Sequence, residues 1–123
     1  MSSTNRGYER HKTDYYVTPQ EVIHEFLDAF EQRFEPLNNE YRILDPCCGG
    51  DKENGASYLE VIKSRIPDAQ AIGIDIRPDS HADIVGDFLE MDITKMAPDV
   101  IISNPPFYLS QEFIEHSLNS IET

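Results

Sequence analysis

Two adjacent prolines, Pro105 and Pro106, stand directly after the run Pro98-Asp99-Val100-Ile101-Ile102-Ser103-Asn104 and directly before Phe107. The residues from Val100 to Ile102 read as a short buried strand. Two prolines in succession forbid both helix and ladder pairing, so the strand must stop there. At its carboxyl end it delivers the Asn104 amide, a rigid turn and the Phe107 ring. In an open parallel sheet that end is where ligands bind. An amide oxygen beside a fixed backbone carbonyl suits a substrate that presents an amino group, and the ring suits a flat substrate that can be stacked upon.

The rest of the chain supplies a sheet for that strand. Residues 1–14 are polar and without period, and read as a flexible arm ahead of one domain spanning 15–123. Thr18 as N-cap, Pro19 at the first helical position and Glu21 reaching back form a capping box. The helix it opens carries Val22, Ile23, Phe26, Leu27, Phe30 and Phe34 on one stripe and ends before Pro36. Arg42-Ile43-Leu44-Asp45-Pro46 is a short strand that runs into Cys47-Cys48-Gly49-Gly50, where glycines allow a tight turn and close approach to a ligand. A helix over 56–65 follows, with Tyr58, Leu59, Ile62 and Ile66 at helical spacing and Pro67 as its stop. Ala71–Ile76 forms a second strand with Asp75 near its end, and Ala82–Val85 a weaker third that leads to Gly86-Asp87-Phe88. After the proline turn, Ser110 caps a last helix with Phe113, Ile114, Ser117, Leu118 and Ile121 as its stripe. Strands alternating with helices imply right-handed crossovers and an α/β fold: a parallel sheet of about four strands with flanking helices.

Composition excludes some functions. The 123 residues contain no apolar run near the roughly 20 that a membrane span requires. The start lacks the apolar core of a signal peptide, and a cytoplasmic protein is expected. Cys47 and Cys48 are adjacent, cannot staple distant segments, and read as small buried fillers; no metal is expected. Ten Lys and Arg stand against twenty-three Asp and Glu, a net charge of −13. Nucleic-acid affinity rests mostly on cations that neutralise phosphates. Any grip on DNA is therefore expected from another segment or a partner chain.

Taken together and in this order, these motifs resemble an S-adenosylmethionine-dependent N6-adenine DNA methyltransferase of the class I, Rossmann-like kind, from about Tyr15 onward. The resemblance implies that Asn104, Pro105, Pro106 and Phe107 are the catalytic Asn-Pro-Pro-aromatic motif. It implies a cofactor loop at Asp45, Pro46, Cys47 and Gly49, with Gly50 standing one place earlier than the family's second glycine. Asp75 would bind the ribose hydroxyls, with Ile76 on the adenine ring. Asp87 would accept from the adenine amino group, with Phe88 adjacent. Thr18 and Pro19, with Tyr16 just upstream, would line the methionine end.

The family's domain has about seven strands, so a truncated class I methyltransferase fold is expected, with doubtful activity alone. Strand order 3-2-1-4 would leave the Asn104 strand at an open edge, which invites a partner, a second copy of the chain included. The same Asn-Pro-Pro-aromatic chemistry serves methylation of an RNA base or a protein glutamine. A non-catalytic cofactor-binding or interaction module is the alternative from a different class.

Overall fold

The computed structural model describes residues 17–51 and 54–121. The expected arm at 1–14 and Tyr16 lie outside them. A four-stranded, all-parallel sheet is flanked by three helices in a small α/β, Rossmann-like fold. In chain order the elements are α1 (Gln20–Arg33), β1 (Arg42–Asp45), α2 (Ser57–Arg65), β2 (Gln70–Asp75), β3 (Ile84–Val85), β4 (Val100–Ile101) and α3 (Ser110–Ile121). The sheet order is β3-β2-β1-β4, the order expected from the resemblance, and among the described residues β4 pairs with β1 alone.

Successive residues of a strand face opposite ways, and β1 is covered on both sides. Ile43 and Leu44 are each 2% exposed. Ile43 packs with Ile23 and Leu27 of α1 and Val61 and Ile62 of α2. Leu44 packs on the other side with Ile74, Phe88, Ile93, Leu109 and Phe113. The sheet thus separates two apolar layers, and at about 25 cal/mol per Å² their burial is the main force holding the helices to it. Arg65 of α2 adds a clamp onto α1, at 2.8 Å from Asp28 and 3.4 Å from Glu31.

Three local expectations are corrected. Thr18 does not cap α1: Pro19 takes the N-cap position, with no side-chain capping bond, and its carbonyl accepts from Val22 and Ile23. The Thr18 hydroxyl is instead drawn into a tertiary contact described below. On the α1 stripe only Ile23 and Leu27 are buried, whereas Val22, Phe26 and Phe34 remain more than half exposed because a cylinder on a sheet buries only its narrow inner face. On α3, Ser110 is a helical residue whose hydroxyl donates to the Phe107 carbonyl, and Ile114 and Leu118 are exposed. Among the described residues no helix is long and apolar enough to cross a membrane.

Candidate functional site

The carboxyl ends of β1, β2 and β4 open onto one cleft. Short contacts hold the β4 end in place. Asp99 straps it to the start of β1, its amide donating to the Arg42 carbonyl at 2.8 Å while its carboxylate accepts from the Arg42 amide at 2.9 Å. The Ile102 amide donates to the Leu44 carbonyl at 3.0 Å, and the Ser103 hydroxyl then donates to Asp45 Oδ1. Asn104 is the next residue, and the prolines turn the chain away. A single 3-10 turn over Phe107–Leu109, closed by a 2.9 Å bond from the Leu109 amide to the Pro106 carbonyl, leads into α3. Phe107 is left 90% exposed.

The glycine loop forms the facing wall. Gly49 and Gly50 have φ of +73° and +86°, a region L side chains avoid. A Cβ on Gly50 would stand 2.9 Å from the Cβ of His81. The loop is fixed from below: the Gly49 amide donates to Asp75 Oδ2 at 2.8 Å, the His81 amide donates to the Gly49 carbonyl at 3.1 Å, and Arg77 donates to the Gly50 carbonyl. Arg77, only 7% exposed, also stands 3.6 Å from Asp75, whose other oxygen accepts from the Arg77 amide at 2.9 Å. Both oxygens of Asp75 therefore already hold a backbone amide.

The cleft between these walls has a volume of about 250 Å³ and brings together Thr18, Cys47, Gly49, Asp75 and the whole run Asn104–Phe107. It also takes in Val17, Cys48, Gly50, Ser57 and Tyr58, which the motif reading did not assign. Ser57 and Tyr58 open the helix after the glycine loop, and that position was the available signal. Other expected residues lie elsewhere. Pro46 is buried and lines a groove on the α3 side of the sheet. Pro19, Ile76 and Asp87 do not line the cleft, and Asp87 Oδ1 accepts from the Leu89 amide to start a 3-10 turn. Phe88 is 1% exposed in the core, its ring 5.1 Å from Phe113 and edge-on to His116.

Asp45, the last residue of β1, also does not line the cleft and is fully buried. Its Oδ1 accepts from the Cys47 amide and the Ser103 hydroxyl, while Oδ2 is buried without a hydrogen-bond partner. Burial pushes its pKa from 3.8 up to about 7, against the pull of the two donors. Burial likewise raises the thiols of Cys47 and Cys48, so neither is an activated nucleophile. Cys48 packs against Ala56 and Leu59 as a filler.

The Asn104 side chain is oriented across the cleft. Its Nδ2 donates to Thr18 Oγ1 at 3.3 Å, leaving Oδ1 without a partner among the described residues. Burial raises the pKa of the Tyr58 phenol, and the neighbouring Thr18 hydroxyl opposes that rise. Compared with known proteins, the chain matches no family model, no curated protein and no solved structure.

Proposed function

We propose that the chain binds S-adenosyl-L-methionine in this cleft and transfers its methyl group to the N6 amino group of adenine in DNA. The observation that carries the reading is the orientation of Asn104: its NH2 end is tied to Thr18 on the cleft wall, and its oxygen is left to accept from an incoming amino group.

The residues present suit the methionine and sulfonium end of such a cofactor. Gly49 and Gly50 let the backbone come close where a Cβ would intrude. Ser57 and Tyr58 bring hydroxyls suited to a carboxylate. The volume is just below the roughly 300 Å³ at which drug-sized pockets begin, so the cleft accommodates part of the molecule. The adenosine end would extend beyond it, and a ribose hydroxyl on Asp75 would be a further partner for a carboxylate already bonded at both oxygens.

When bound, S-adenosylmethionine supplies an electrophilic methyl on sulfur. An exocyclic adenine nitrogen attacks poorly because its lone pair is delocalised into the ring. Asn104 Oδ1 and the Pro105 carbonyl, each accepting one N–H, draw that nitrogen towards pyramidal geometry and free the lone pair. Positive charge develops on nitrogen as it reacts and is discharged when the methylated nitrogen releases one proton to water, so fixed acceptors stabilise the transition state more than the ground state. Phe107 offers its exposed ring for stacking to a base that has left the duplex. With a net charge of −13, the phosphate grip would come from another segment or chain, and the edge of β4 that is unpaired among the described residues is where an added strand, a second copy included, would pair.

The test is methyl transfer from labelled S-adenosylmethionine to adenine-containing DNA, with RNA and glutamine peptides alongside. Wild type should label DNA, Asn104→Asp should retain part of the rate, and Asn104→Ala should abolish it while still binding the cofactor. Equal rates for wild type and Asn104→Ala would dispose of the mechanism, and label appearing on RNA or peptide alone would replace the substrate.

A further inference from the structure

The sequence assigns Thr18 a complete structural task as a helix cap, yet that capping bond is absent. What the hydroxyl does instead joins residues 86 positions apart: it accepts from Asn104 Nδ2 at 3.3 Å, and both side chains line the cleft. We infer that Thr18 is a positioning residue, which fixes the direction of the Asn104 amide so that its oxygen and not its nitrogen is presented to the methyl acceptor; this rests on the function proposed above.

A planar amide has two ends of nearly equal size, and rotation by half a turn about its last bond exchanges an acceptor for two donors. In one orientation the group receives an N–H from an amino substrate; in the other it repels it. Asn104 is exposed, so packing does not choose between them. The hydroxyl makes the choice. In the structure it meets the NH2 end, accepting from Nδ2, so the amide is held by its nitrogen end. Thr18 is the residue just before Pro19, whose carbonyl starts α1, so the hydroxyl is carried on a rigid element.

The test separates this contact from the proposed reaction. In the first arm, the side-chain amide signals of Asn104, assigned by their loss in Asn104→Ala, are followed by 15N NMR in wild type, Thr18→Val and Thr18→Ser. The contact predicts that Thr18→Val shifts this pair and speeds its hydrogen exchange, and that Thr18→Ser keeps the wild-type signals. An unmoved pair in Thr18→Val, with the backbone spectrum otherwise unchanged, overturns the assignment whether or not the chain methylates anything. In the second arm, Thr18→Val should lower turnover by roughly ten- to hundred-fold with the cofactor dissociation constant unchanged, and Thr18→Ser should restore it. A loss of cofactor affinity that fully accounts for the lost rate would make Thr18 a binding residue and overturn the positioning role. Wild type that neither binds nor transfers strikes the functional reading instead, and the amide signals alone then decide whether Thr18 sets the orientation of Asn104.

Discussion

Replacing Asp45 with asparagine should make the protein more stable relative to wild type as the pH rises, and the size of that trend follows from where the carboxyl sits. Burial lifts its pKa from 3.8 to about 7. A raised carboxyl pKa means that the native state holds the proton more tightly than the unfolded chain. Stability is therefore lost as pH climbs from the unfolded value through the folded one, and is flat above it. At about 1.4 kcal/mol per unit, roughly three units make the ionised form cost roughly 4 kcal/mol above about pH 7. Between about pH 5.5 and about pH 8.5, only the portion up to about 7 counts, about one and a half units or about 2 kcal/mol. The amide oxygen of the substituted side chain would still accept from the Cys47 amide and the Ser103 hydroxyl, while its NH2 would occupy the place of the unpartnered Oδ2. That unpaired donor costs about 1–3 kcal/mol, but equally at every pH. The assay is urea unfolding of wild type and Asp45→Asn across this range, and subtraction removes every other titrating group. A difference that does not change with pH, or one that moves in favour of wild type, would refute the placement of Asp45 as a buried, half-satisfied carboxyl.

Gly50→Ala combines a φ of +86° with a Cβ only 2.9 Å from that of His81, and should cost more than the roughly 1–2 kcal/mol of the backbone conformation alone, read as a lower denaturation midpoint. Phe107→Ala, at a 90% exposed ring, should leave stability within about 0.5 kcal/mol of wild type while raising the KM for the methyl acceptor. Phe88→Ala should lose about 3–5 kcal/mol of stability in calorimetric or denaturant unfolding, as befits a core ring and not a ligand contact.

The sheet was legible because its signals are local and mutually consistent. β-Branched and apolar runs at Ile43 and Val100 are each followed by a turn and a helix, and the run at Ile72 follows a helix, which leaves few topologies besides parallel crossovers. The meeting of Asn104 with Asp75 and Gly49 followed from the same rule, since strands that run one way end at one rim. What was not legible depends on partners distant in sequence. Thr18 and Glu21 have ideal capping-box spacing, but a hydroxyl has one hydrogen and few lone pairs, and a contact with Asn104 competes for them. Asp75 looks like a free strand-end acid until the Gly49 and Arg77 amides are seen on its two oxygens. Phe88 follows Gly-Asp in a turn, and nothing in the sequence signals that Phe113 and His116, from the last helix, close over it.

The central claim is that the cleft joined by Asn104 and Asp75 holds S-adenosylmethionine within reach of an amino group. Isothermal titration with S-adenosylmethionine, on protein whose folding is verified in the same sample, tests it most directly. Saturable, one-to-one heat is expected, surviving in Asn104→Ala and lost when Gly49 is given a side chain. A folded wild-type chain that yields no binding heat at any temperature tried, and no competition with a fluorescent cofactor analogue, would contradict it.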